Sequence, residues 1–154
     1  MITHVRKRGE ILAEHNEIVT TGFSDYISFM MKGGSSGLYF ALGTGSAEWD
    51  SGTVPTPSAG IDQLVSEAYR VAVPTSDIVY LDPSTEEEST DPTNLIKVTV
   101  EIQSSEYNGF VREYALIYNG TTATNSGTPI VYGNHTKMRI PAGSTYTKII
   151  KIGT

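Results

Sequence analysis

The chain has 154 residues and no cysteine, with 38% hydrophobic and 18% charged residues. That size suits one compact domain, and the missing thiols exclude disulfides and thiolate metal sites. A net charge of −6 and a pI near 5.0 argue against a surface built for polyanions, apart from the short basic run His4–Arg8. No apolar run reaches the roughly 18–20 residues that span a bilayer, and the start lacks the apolar stretch of a signal peptide. The expectation is a soluble product of the cytoplasm in which it is made, with neither membrane nor nucleic acid as partner.

Residues 1–19 read as a polar arm. Gly9 in "RKRGE" marks a hairpin turn, and "EILAEHNEIV" then reads as a strand; a short helix sharing Ile11, Leu12 and His15 on one face is the alternative. "TTGFSDYISFMMKGG" has helical spacing. Thr20, Thr21 or Ser24 can cap its start. Phe23, Ile27, Met30 and Met31 follow the period of a buried stripe, and Gly33 and Gly34 supply the stop. Strand signals follow: "LYFALG", then the loop "GTGSAEWDSGTVPTPSAG", then "YRVAV" and "SDIVYL" on either side of Pro74. "DPSTEEESTDP" (Asp82–Pro92) is an acidic tip bounded by prolines.

"LIKVTVEIQ" alternates cleanly, with Ile96, Val98, Val100 and Ile102 on one face; this is the period of a half-buried antiparallel strand. "FVREYALIY", "PIVYGN", "TKMRI" and "STYTKIIKI" complete the set. A leading helix and then many short strands predict a mainly β chain: an antiparallel β-sandwich with an N-terminal α-helix packed against it. The expected organisation is an arm over 1–19 and a single domain over 20–154.

Few residues assemble into recognisable chemistry. "LGTGSAEWDSG" is glycine-rich but lacks the Lys-Ser/Thr of a phosphate-binding loop, so it reads as a turn. The carboxylates Asp82, Glu86, Glu87, Glu88 and Asp91 do not match an EF-hand spacing. His4, His15 and His135 have no metal-ligand spacing. No metal or cofactor is therefore expected. Asn119 and Asn134 match glycosylation acceptors but read as turn residues.

The charges inside apolar strands are the sharper signal. Strand parity puts Glu113 on a face with Val111, Ala115 and Ile117. A carboxylate there must be paired. Arg70 in "IDQLVSEAYRVAV" is the expected partner, because a guanidinium grips a carboxylate with two parallel hydrogen bonds. Glu67 either caps the preceding turn or joins the same network. The competing reading is a glycosidase-like acid pair of Glu67 and Glu113.

The segments "NEIVTTGFSDYISFMMKGG", "YFALGTGS", "QLVSEAYRVAV", "GFVREYALIYNG" and "PIVYGNHTKMRIPAGSTYTKIIKI" fall in an order that resembles bacteriophage tail and baseplate structural proteins. The likeness extends to tail-fibre or tail-collar N-terminal modules. It covers about residues 16–152, departs at Ala115, where such segments often carry Gly, and lacks a fibre shaft. The resemblance implies a virion structural protein of the tail without enzyme activity. It would act as an assembly or adaptor subunit, often a homo-oligomer, through contacts with other tail proteins. In that setting Val5, Arg6, Ile11 and Leu12 of the arm are the expected oligomer contacts. The alternative is a carbohydrate-binding receptor-recognition module, for which Trp49, alone in a Gly/Ser/Asp loop, is the candidate platform.

Overall fold

The computed structural model describes residues 2–7, 10–16, 18–31 and 37–153, the first two stretches as backbone only. The strands are β1 (Ile2–Lys7), β2 (Glu10–Asn16), β3 (Ile18–Val19), β4 (Leu38–Gly43), β5 (Glu67–Val73), β6 (Ile78–Leu81), β7 (Glu88–Ser89), β8 (Leu95–Gln103), β9 (Phe110–Tyr118), β10 (Thr128–Arg139) and β11 (Thr145–Gly153). They form two antiparallel sheets, one ordered β2-β1-β11-β8-β6-β7 and the other β3-β10-β9-β4-β5. The architecture is mainly β and sandwich-like.

The inner layer follows from alternation. Val98, Val100 and Ile102 of β8 and Tyr146, Ile150 and Ile152 of β11 face Leu38, Phe40 and Leu42 of β4 and Tyr114 and Leu116 of β9. Each strand gives every second residue to this core, because successive side chains point to opposite faces.

Strand β9 departs from simple alternation. All of Val111–Ile117 is buried, which is the pattern of a strand covered on both faces. Ala115 and Ile117 lie on the outer face of the second sheet, with Ala41, Tyr132 and Leu64. The segment between β4 and β5 folds over that face, making a small second core of the kind found under long loops. Val111 joins the inner core instead of sharing Glu113's surroundings. The register of β10 against β9 shifts between Asn134 and Met138, opposite this point. "PIVYGN" and "TKMRI", read as two strands, are one strand bent by these shifts.

At the N-terminus, β1 and β2 pair antiparallel, and β1 continues onto β11 with Val5 opposite Lys148 and Arg6 opposite Thr147. Residues 2–16 therefore extend the first sheet. The turn placed at Gly9 lies outside the described residues, as do the side chains of Val5, Arg6, Ile11 and Leu12.

Gly22–Met31 is helical, but its buried side differs from the expected stripe. Ile27 is 39% and Met30 44% exposed. Phe23 packs on the inner core as expected, but Tyr26 joins it there in place of Ile27 and Met30, with the Tyr26 ring 5.5 Å from that of Tyr118. A tyrosine can bury its ring and keep its hydroxyl near water, so it stands in an apolar position without reading as one. The Ser24 and Met31 side chains and the stop at Gly33 and Gly34 lie outside the described residues.

Candidate functional site

The charges singled out in the sequence converge on the outer face of the second sheet. Gly43 of β4 stands between Glu67 of β5 and Glu113 of β9 in the strand register. A Cβ at Gly43 would lie 2.5 Å from Glu113 Oε1. The glycine that ends "LYFALG" therefore makes the space in which the Glu113 carboxylate sits.

Glu113 is completely buried, and both its oxygens are engaged. Oε1 accepts from the backbone N–H of Ser66 at 2.8 Å and of Gly45 at 3.2 Å. Oε2 accepts from the N–H of Val65 at 3.0 Å and from the Tyr132 hydroxyl at 2.9 Å. Burial, with the Glu113 carboxylate alongside, raises the Tyr132 pKa well above the ordinary phenol value. The hydroxyl thus stays a donor. One carboxylate fastens both ends of the Thr44–Ser66 loop to the sheet.

The expected Arg70–Glu113 pair is not formed. Among the described residues Arg70 grips Glu67, three positions earlier, with Nε–Oε1 at 2.5 Å and Nη2–Oε2 at 2.7 Å. The parity argument found the right face and the wrong acid. Backbone N–H groups of the loop can satisfy a buried carboxylate as well as a cation can, and sequence parity cannot see them. Arg70 Nη1 then donates to the carbonyls of Thr121 and Ser126, while Glu67 accepts from the Asn125 N–H. The pair clamps the turn between β9 and β10.

A third fastening escaped the sequence reading. Arg112 and Asp50 form a two-bonded pair, Nε–Oδ1 at 3.0 Å and Nη2–Oδ2 at 2.7 Å, and Asp50 also accepts from the Lys137 N–H at 2.8 Å. The Arg112 bond lowers the Asp50 pKa to about 2, helped by Lys137. Arg112 next to Glu113 was the available signal, but its partner lies far away in a loop whose path the sequence does not specify. Lys148 was missed as well. It shares the inward phase of Tyr146, Ile150 and Ile152, and its Nζ lies 3.4 Å from the centre of the Tyr114 ring.

Trp49 is not an exposed platform. It is 8% exposed, held in a 3₁₀ turn over Ala47–Asp50 whose start is capped by Ser46. Gly45, at φ +54°, lies directly beneath its ring, where any side chain would collide. The indole is a peg that seats the loop, so it offers no stacking surface to a sugar.

The site's chemistry is thus that of a clasp. Glu67 is bonded to Arg70 and the Asn125 N–H and Glu113 to its four donors, so each carboxylate is engaged within the fold. The crevice beside them, lined by Gln63, Leu64, Glu67, Arg70 and Asn125, has no interior space for even a water molecule. No group of three or more metal-ligating side chains occurs among the described residues. Comparison with family models, with curated proteins and with solved structures finds no match to this chain.

Proposed function

We propose that this chain is a structural subunit of a phage tail, baseplate or collar that acts through protein–protein contacts and catalyses nothing. One observation carries the reading: Glu113 commits every hydrogen bond described above to its own loop and sheet. Arg70, Glu67, Arg112 and Asp50 are consumed in the same way. Such networks rigidify a surface and set its shape, which serves a docking module. The order of motifs that resembles tail proteins supplies the setting.

In this reading the domain is a β-sandwich with the Gly22–Met31 helix packed at its side; of the expected 1–19 arm, Ile18–Val19 belongs to the second sheet, and the β1–β2 hairpin is the part that meets a neighbour. Strand β2 ends the first sheet, and an unpaired edge strand is a ready template for another chain. The oligomer contacts would then lie along the hairpin that carries Val5, Arg6, Ile11 and Leu12.

Mass spectrometry of purified particles tests the assignment. The chain should be present in fixed stoichiometry with other tail proteins, and its absence from particles refutes the proposal. Light scattering tests the arm. Removing residues 1–16 should lower the solution mass while Trp49 fluorescence stays that of a buried indole. A folded truncated chain that assembles like the full one refutes the arm's role.

A further inference from the structure

Among the described residues, the two ends of the sandwich carry local patches of opposite charge. Strands β8 and β11 fix the ends: Leu95 pairs with Gly153 at one and Gln103 with Thr145 at the other. At the Leu95 end, Asp82–Asp91 folds back on the sheet. Glu88 pairs with Lys97 at 2.6 Å and Glu86 pairs with Lys151, two lysines that stand opposite each other in the register. Asp82 accepts from the Ser84 and Thr85 N–H groups and the Ser84 hydroxyl, and makes no ion pair among the described residues. Glu87 and Asp91 are exposed and make no ion pair among the described residues. Three negative charges stay open to solvent.

At the Gln103 end, Phe110 and Arg139 stand opposite each other where β9 begins and β10 ends. Phe110 is 44% exposed. Lys137 Nζ lies 4.9 Å and Arg139 Cζ 5.8 Å from its ring centre. Lys137 also forms an ion pair with Asp50 at 3.8 Å, sharing that single carboxylate with Arg112, so two cations there meet one acid. Arg139 makes no ion pair among the described residues. Glu106 at the same end accepts from the Tyr69 hydroxyl and the Gln103 N–H, and it and Glu101 are exposed carboxylates there, so the positive charge is local to the Phe110 ring. Two cations are thus displayed on an exposed aromatic ring, which fixes their positions in advance of any contact.

We propose that the Phe110–Lys137–Arg139 surface docks the Asp82–Asp91 tip of a second copy, so that copies add end to end. The proposal rests on the assembly reading above and specifies its contact. Opposite charges at opposite ends make the contact head-to-tail, which yields a ring if the rotation closes and a filament if it does not. Charge complementarity of this kind gives register and steers encounter, and like charges in its place are repelled.

Charge reversal on the full chain tests it, read as solution mass by light scattering at low and high salt. Wild type should associate at low salt and dissociate as salt screens the contact. Lys137→Glu with Arg139→Glu, and separately Glu87→Lys with Asp91→Lys, should each weaken association by more than about tenfold. Each reversed chain repels itself but matches the other, so an equimolar mixture should regain the wild-type mass. Arg139→Glu alone serves if the double change at Lys137 disturbs Asp50, and Trp49 fluorescence reports the fold in every case. Association that ignores both salt and reversal overturns this contact and leaves particle assembly standing. A wild type that stays monomeric at low salt overturns it too, with particle composition still deciding the assembly reading. A mixture of folded variants that fails to associate also overturns it.

Discussion

Glu113→Gln removes a charge and one acceptor from the centre of the clasp with almost no change in volume. The amide oxygen can occupy the Oε1 position and keep Ser66 and Gly45 as donors. The amide nitrogen then faces the Val65 N–H, donor against donor, while the Tyr132 hydroxyl can turn and accept. One hydrogen bond to a charged group is lost, at about 1.5–3 kcal/mol. The two that survive fall from charge-assisted to neutral strength, roughly half. The expected destabilisation is about 2–4 kcal/mol, rising to about 3–5 kcal/mol for Glu113→Ala, which orphans every donor.

The loss should be local first. Val65 and Ser66 are exposed, so the loop can lift and hydrate its N–H groups before the sheets part. Urea unfolding followed by Trp49 fluorescence measures the first effect, and amide exchange at Gly45, Val65 and Ser66 measures the second. Gly43→Ala is the independent check, because it leaves the acid in place and takes its space; it should speed exchange at the same amides. A Glu113→Gln chain within about 1 kcal/mol of wild type, with unchanged exchange at these positions, refutes the clasp.

The remaining predictions concern the other buried groups. The side chains of Arg70 and Glu67 are 6% and 2% exposed, so Arg70→Met and Glu67→Leu should each cost about 3–5 kcal/mol. The double change should cost clearly less than the sum, and additive losses in urea unfolding would deny the contact. Trp49→Ala should cost about 3–5 kcal/mol as a core truncation, read by circular dichroism; near-neutral stability would contradict its burial. Burial, aided by Lys148, holds His135 at about 4 against its ordinary 6.5, with the Thr136 carbonyl opposing. Between those values the unfolded chain binds a proton that the fold does not, so stability is full above 6.5 and is lost as pH falls through 4. The loss should approach about 3 kcal/mol. His135→Gln should flatten that slope, and an unchanged slope would assign it to other groups.

The strands were legible in the sequence because their signal is local. Ile96, Val98, Val100 and Ile102 alternate with polar residues whatever lies elsewhere in the chain, so the period, the strand and its core face follow from residues a few positions apart. Glu113 in an apolar phase announced a buried carboxylate by the same logic, and Lys148 among Tyr146, Ile150 and Ile152 carried the same message. Composition likewise settled that no thiol chemistry holds this fold. What the sequence could not say was who answers each charge. Glu113 is held by three N–H groups of the Thr44–Ser66 loop, and every residue but proline carries such a group, so the donors leave no mark in the sequence. Strand parity puts Glu67, three positions from Arg70, on the opposite face, and the register shift between Leu42 and Gly43 brings it round to Arg70. The choice of Glu67 depended on the loop having already claimed Glu113. Trp49 looked exposed because its neighbours are Gly, Ser and Asp, yet Gly45 made the hollow in which its ring is buried. In strands such as β8, periodicity thus decided which residues turn inward. The path of one long loop over the outer sheet decided which of them are partners, because that path depends on contacts between residues distant in the chain.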